Sequence, residues 1–192
     1  MSRKILILNG NPDPSPERFS AALVEAYLRE ASLAGHQVRR IDIGALTYPI
    51  LRSQAEFMTI EPVPDILAAQ ESVTWADHLV IVFPLWLGGA PALLKGFLEQ
   101  VFRYGFAING PREPAKQLLA GRSARLIVTM GMPAPIFRWV FGGHGLFALE
   151  RGILWLSGVR PIDHLVIGKV DGSPERRSRW LEVVGRLGAN GA

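Results

Sequence analysis

HLVIVFPLWLGGAPALLKGFLEQVF, residues 78 to 102, is the stretch on which the rest of the chain is organised. Leu79 to Phe83 is an unbroken apolar run of strand length, with no polar face, as in a parallel strand covered on both sides. Pro84 stops it. Pro91 restarts the chain as a helix, since a proline at the first helical position loses no hydrogen bond and has its φ already set. Leu94, Phe97, Leu98 and Val101 then follow at i, i+3, i+4 and i+7, one apolar stripe. Between strand and helix lies Pro84-Leu85-Trp86-Leu87-Gly88-Gly89-Ala90, a loop without charge. At the carboxyl end of a parallel strand such a loop is where an open α/β sheet binds its ligand, and its chemistry suits a flat, apolar one. An ordinary strand-to-helix connection would read the same way. A membrane span does not fit: the uncharged run from His78 to Leu94 falls short of the ~20 residues needed and carries two prolines and a glycine pair.

The chain has 192 residues, the size of one domain with a respectable core. It has no cysteine, hence no disulfide framework, thiolate nucleophile or cysteine metal site. The four histidines, at 36, 78, 144 and 164, lack metal-ligand spacing. Lys and Arg number 21 against 17 Asp and Glu, a net +4, but the basic residues are scattered, densest at Arg176, Arg177 and Arg179, and no nucleic-acid signature accompanies them. A mild positive bias steers anionic small molecules instead. Met1-Ser2-Arg3-Lys4 leads into an apolar run too short for a signal peptide, so the expected location is the cytoplasm.

Lys4 to Asn9 reads as a first buried strand, followed by the proline-rich loop from Gly10 to Pro16. Ser15 can cap the next helix with Pro16 at its first position, giving a helix from about Glu17 to Ala34 with Leu23 and Tyr27 on the core stripe. A loop delivered to a helix N-terminus makes an anion site, and Arg18, Phe19 and Ser20 stand at that corner. A plain helix start explains the same residues, and neither the dinucleotide fingerprint nor the phosphate loop is present. Gln37 to Ile43 alternates as an outer strand, residues 44 to 63 read as irregular, and a helix covers Asp65 to Trp75. Strands at Arg122 to Thr129 and Val159 to Ile167, with helices at Leu146 to Ser157 and Pro174 to Leu187, complete the alternation. That order predicts an α/β fold with a parallel sheet, right-handed crossovers and helices on both faces.

The loop from Thr129 to Gly145 is long and rich in apolar and aromatic side chains, so a ligand, a partner subunit or the protein's own core must cover it. His144 sits among its glycines.

Together these loops resemble the flavodoxin-like NAD(P)H:quinone oxidoreductase family, the flavoenzymes akin to DT-diaphorase and the small bacterial quinone reductases. The likeness spans almost the whole chain and is most specific from Pro64 to Ile108, with its Ala-Asp, strand, Pro-Leu, Pro-Ala, Leu-Lys-Gly and Gly-Phe-Ala. The resemblance implies a three-layer sandwich with five parallel strands in the order 2-1-3-4-5, over residues 1–192 as one domain. It implies flavin phosphate at Arg18, Phe19 and Ser20, with Arg18 where the family usually has Ser, and Asn11 as a further cofactor-binding residue. Ring contacts fall on Pro84, Leu85, Trp86 and Leu87 and on Thr129, Met130, Gly131 and Met132. Several relatives carry an aromatic at the position of Leu87. His144 matches a family histidine beside the flavin, while Arg138 stands where relatives place a Tyr and could stabilise an anionic reduced ring. The cofactor implied is FMN, with FAD the alternative. The short chain, without the extra C-terminal domain of longer FAD-binding relatives, favours FMN.

The resemblance also implies a reaction and an assembly. NAD(P)H would be co-substrate, and a quinone or similar flat acceptor would take two electrons from the same face. A homodimer would form through Pro133 to Phe147, with no nucleic-acid partner and no membrane insertion. Two other functions share the sequence pattern: an electron-carrier flavodoxin, which the net charge of +4 disfavours, and a regulatory flavoprotein subunit of a membrane transporter.

Overall fold

The structure, a computed structural model, describes residues 2–58, 60–109 and 116–192. Strand β1 (Lys4–Asn9) leads to α1 (Phe19–Leu33), and β2 (Gln37–Asp42) is followed by a 3₁₀ turn (Ile43–Ala45) and α2 (Gln54–Met58). Then come α3 (Pro64–Trp75), β3 (His78–Pro84), α4 (Ala92–Val101) and β4 (Ser123–Thr129). After β4, α5 (Ala134–Trp139) and α6 (His144–Leu149) precede a π-helical stretch (Glu150–Trp155), β5 (Ile162–Ile167) and α7 (Pro174–Asn190).

The strands form one parallel sheet in the order β2-β1-β3-β4-β5, the order expected from the sequence. The apolar runs of β1, β3 and β4 have no polar face because both faces are covered. Leu6, Leu8, Leu79, Ile81 and Phe83 join α3 and α4 on one side, where all four residues of the predicted α4 stripe, Leu94, Phe97, Leu98 and Val101, are fully buried. Ile5, Ile7, Val80, Val82 and Ile127 join α1 and α7 on the other, against Leu23, Tyr27 and Val184. Each such side chain contributes about 1.5–3 kcal/mol over its exposed state. The α1–α7 seam is close: a Cβ on Gly188 would lie 2.3 Å from the Tyr27 carbonyl oxygen.

Several boundaries differ from the sequence expectation, each for a local reason. Helix α1 starts at Phe19, so Ser15 is not its cap and Pro16 is not its first residue. The turn before it is held instead by Ser15 N–H donating to Asp13 Oδ1 (2.9 Å) and Glu17 N–H donating to Ser15 Oγ (3.3 Å). Pro91 occupies the N-cap of α4, one residue earlier than expected. The excursion at 44 to 63 contains α2, and the aromatic loop contains α5, which starts behind Pro133. His144 is the first residue of α6 and not a loop residue. Strand β5 begins at Ile162 because Pro161, just before it, has no N–H to donate to the ladder.

Candidate active site

The strand order brings the carboxyl ends of β1, β3 and β4 side by side. Gly10 N–H donates to Val82 O (2.7 Å), tying the β1 loop to β3, and Leu85 N–H donates to Thr129 O (2.7 Å), tying the β3 loop to β4. The predicted positions Asn11, Pro84, Leu85, Thr129 and Met130 therefore share one edge of the sheet. Beyond Leu85 the chain turns sharply. Trp86 and Gly89 exchange both backbone hydrogen bonds at 2.9 Å, and the two central residues have positive φ, +46° at Leu87 and +82° at Gly88. This is the sign pattern of a type I′ turn. The amides of Leu87, Gly88, Gly131 and Met132 have no internal hydrogen bond among the described residues.

At the start of α1, Ser20 is buried and its Oγ accepts from Asn11 Nδ2 at 2.8 Å, fixing the loop to the first helical turn. The amides that open the helix lack intrahelical acceptors, so they present donors at the positive end of the dipole. Arg18 stands at this corner but is engaged: its Nε donates to Asp13 Oδ2 at 2.6 Å. The Ser15 amide, and next Arg18, hold the Asp13 carboxyl below its ordinary pKa, so it is anionic at neutral pH. A second cation, Arg177 from α7, stacks 4.7 Å from the Phe19 ring centre. Sequence reasoning did not place Arg177 here. Its only signal was membership of the densest basic cluster, and α7 folds back beside α1 to bring it in. Glu17, Arg18, Phe19, Val170, Asp171 and Arg177 line a hollow of about 300 Å³ at this corner.

Helices α5 and α6 close the β4 side. Gly143 N–H donates to Phe137 O (3.1 Å), pinning the corner between Arg138 and His144. Gly145 lies directly on the β3 turn, where a Cβ would meet Gly88 O at 2.0 Å. That contact, which the sequence signalled only as a run of glycines, sets His144 beside residues 84 to 90. His144 and Arg138 are both exposed, and neither has a hydrogen-bond or ion-pair partner among the described residues. Around them the apolar side chains of Trp86, Ile136, Trp139, Val140, Phe141 and Phe147 are also exposed, Trp139 to 84 %.

The donor set fits a flat ring with polar edges and an anionic tail, which is the chemistry of a flavin. Amides of Leu87, Gly88, Gly131 and Met132 that are free among the described residues can meet ring carbonyls and nitrogens, apolar side chains can meet the ring faces, and the amide-rich start of α1, with Arg177 beside it, can take a phosphate. A larger hollow, about 610 Å³, lies elsewhere, between residues 51 to 57, α4 and the π-helical stretch, and includes no residue of the three loops. Its size alone does not make it the site, because the converging free donors are at the strand ends. Among the described residues no group of His, Asp and Glu could hold a metal ion, and no helix is long and apolar enough to cross a membrane.

Comparison with known proteins bears on the fold and the family. NAD(P)H dehydrogenase (quinone) 1 of Rattus norvegicus is 29% identical over 191 residues, covering 85% of this chain and 69% of the relative. Ribosyldihydronicotinamide dehydrogenase (quinone) of Pongo abelii is 27% identical over 183 residues, 82% of this chain and 78% of the relative. Among solved structures, an NAD(P)H:quinone oxidoreductase from Methanothermobacter marburgensis superimposes with a TM-score of 0.82 at 25% identity, covering 100% of both chains. The flavodoxin-like fold family matches residues 3–186, and the chain belongs to that family.

Proposed function

We propose that this chain is a flavin-dependent NAD(P)H oxidoreductase that reduces quinones or similarly flat acceptors by two electrons. The observation that carries the reading is the meeting of the uncharged 84–90 turn with the free amides of Gly131 and Met132 at the ends of adjacent strands. The quinone dehydrogenases and the quinone oxidoreductase of Methanothermobacter marburgensis among its relatives support the acceptor class.

In this reading Asn11, Arg18, Phe19 and Ser20 hold the phosphate through first-turn amides and the helix dipole, with Arg177 closing the outer side. Because Arg177 already covers Phe19, the corner favours FMN over the longer FAD. Pro84, Leu85, Trp86 and Leu87 support one side of the ring, and Thr129, Met130, Gly131 and Met132 hold its polar edge. When bound, the flavin supplies the two-electron chemistry, accepting hydride from NAD(P)H and returning it to the acceptor. The chain positions both partners on one apolar face in turn, so no nucleophilic triad or carboxylate pair is needed. Arg138 would offer a positive charge to the reduced ring and His144 a hydrogen-bonding imidazole beside it, so both would tune the flavin instead of acting as nucleophiles. A second copy of the chain covers the exposed Ile136, Trp139, Val140 and Phe141 and helps exclude water. The reaction takes place in the cytoplasm, where NAD(P)H is supplied.

Titration of the purified protein with FMN tests this, with flavin fluorescence as readout and mass analysis of the cofactor released on denaturation. Quenching and released FMN are expected. Released FAD would overturn the choice of flavin, and a colourless protein that quenches neither form would overturn the whole reading. Light scattering on the flavin-bound protein should give a dimer, and a monomer would refute the covering of Pro133 to Phe147 by a second copy.

A further inference from the structure

One continuous helix runs from His144 to Trp155 and changes character halfway: His144–Leu149 is α-helical, whereas Glu150–Trp155 is π-helical. Such π stretches are rare and occur mostly as a turn inside an α-helix, so something outside the helix must hold one in place. Both ends are seated. At the start, Gly145 lies on the β3 turn, with Gly88 O 2.0 Å from where a Cβ would be. At the far end Leu154 is fully buried, Val159 N–H donates to Leu154 O (3.0 Å), and a Cβ on Gly158 would lie 2.9 Å from the Ala120 nitrogen. A helix held at both ends takes up any mismatch in length between them, and this one does so from Glu150 onward.

Glu150 is also where the sheet reaches the helix. Its Oε2 lies 3.2 Å from Nε2 of His164 on β5, and the two side chains are only 14 % and 22 % exposed. Both atoms are buried, and neither makes a hydrogen bond elsewhere among the described residues. Arg151 stands 3.6 Å from the other carboxylate oxygen but is mostly exposed, so its hold is weak. His164 is in register with Leu126 of β4, the strand that ends at Thr129. A buried pair of this kind gives little net stability over an apolar pair of similar volume. What it supplies is register, because either partner alone would be a buried polar group left unmatched.

We infer that Glu150 and His164 are positioning residues of the oxidoreductase site: their contact fixes the α-to-π junction and, through α6, sets His144 beside the 84–90 turn. On the oxidoreductase reading above, on which this rests, His144 faces the flavin. Six residues are too few for α6 to hold itself in water, so its place is set at its two ends. Without the pair the junction at Glu150 is free, the helix relaxes toward α-helical bonding, and His144 turns from the ring while the phosphate corner at α1 is untouched.

The test replaces the pair by an apolar one, Glu150→Leu with His164→Leu, and reads flavin reduction by NADPH or NADH in the FMN-loaded protein. Melting temperature should stay at or above wild type, since a buried pair exchanged for packed apolar side chains is neutral or stabilising. FMN should still bind, and flavin reduction should slow about tenfold. Adding His144→Ala should cost nothing further, because the histidine is already misplaced. His164→Gln, which keeps an N–H donor facing Glu150, should retain the wild-type rate. A double-leucine protein that reduces its flavin at the wild-type rate would overturn the inference. So would losses that multiply with that of His144→Ala, or a His164→Gln protein as slow as the double variant. If the double variant does not fold, His164→Asn, too short to reach Glu150, is read in its place against the same outcomes. Each of these would leave the oxidoreductase reading intact, whereas a wild-type protein that binds no flavin would overturn both.

Discussion

At the amino ends of β1, β3 and β4 most polar groups close on one another, His78 Nε2 being an exception, whereas at the carboxyl ends of the same strands they are left facing outward. Asp77 Oδ2 accepts from the Lys4 amide (3.0 Å) and the Asp77 amide donates to Lys4 O (2.8 Å). His78 Nδ1 and Ser123 Oγ pair at 2.8 Å, and Arg122 donates to the last carbonyls of α3, Val73 O at 3.0 Å and Thr74 O at 2.7 Å. At the opposite end, four loop amides lack internal partners among the described residues, one leucine is held at positive φ, and several large apolar side chains are bare. The amino end serves the stability of the sheet. The carboxyl end leaves donors and apolar surface open, where the proposed flavin and second copy would sit. Substitutions at the first should therefore cost stability and spare activity, and at the second the reverse.

The largest expected effect lies at the amino end and depends on pH. Burial above all, with the cations Arg3 and Arg125 opposing Asp163, pushes His78 down to about 4 from 6.5. Its folded pKa is below its unfolded one, so the unfolded chain binds the extra proton between these values. Stability is then fully present above about pH 6.5 and is lost as pH falls toward about 4, by about 3 kcal/mol in all. Denaturant melts across that range should show the slope, and His78→Gln should flatten it. An equal slope in the variant would assign the acid sensitivity elsewhere.

Next is the carboxyl end. Gly145→Ala places a Cβ where 2.0 Å separates it from Gly88 O, so either the β3 turn or the start of α6 must move. Flavin affinity should fall about 100-fold, equivalent to about 2.7 kcal/mol, while overpacking costs about 1–3 kcal/mol of stability. A variant that loses stability but keeps its flavin affinity would erase the distinction between the two ends. Arg122→Ala sharpens it from the other side: removing the donor from two helix-terminal carbonyls should cost about 1–2 kcal/mol in denaturant melts and leave quinone reduction unchanged. The smallest effect is at His144, where replacement by Ala should slow the reductive half-reaction about tenfold with flavin still bound. An unchanged rate would make the histidine structural.

Much of this was legible in the sequence because the decisive signals are local. Parallel strands covered on both faces carry unbroken apolar runs, and β1 (Ile5–Leu8), β3 (Leu79–Phe83) and β4 (Leu126–Val128) do. The α4 stripe repeats at the helical period, and the uncharged turn before it is contiguous. What was not legible depends on folding-back or on competing local bonds. Ser15 looks like a helix cap, yet the hydrogen bonds from the turn to Asp13 and Ser15 push the helix start to Phe19. Prolines at 133 and 135 suggest a loop, yet both fit the first turn of α5, where a missing N–H costs nothing. Engagement of Arg18 by Asp13, the stacking of Arg177 on Phe19 and the seating of Gly145 on Gly88 are tertiary events that residue pattern does not encode.

The most direct test of the central claim is double-mixing stopped flow on the FMN-loaded protein, following oxidised-flavin absorbance. Mixing with NADPH or NADH should bleach the absorbance at least as fast as steady-state turnover, and a second mix with quinone should restore it at a rate that rises with quinone concentration. Bleaching slower than turnover, or no recovery with quinone, would contradict an enzyme that passes two electrons from NAD(P)H to a flat acceptor.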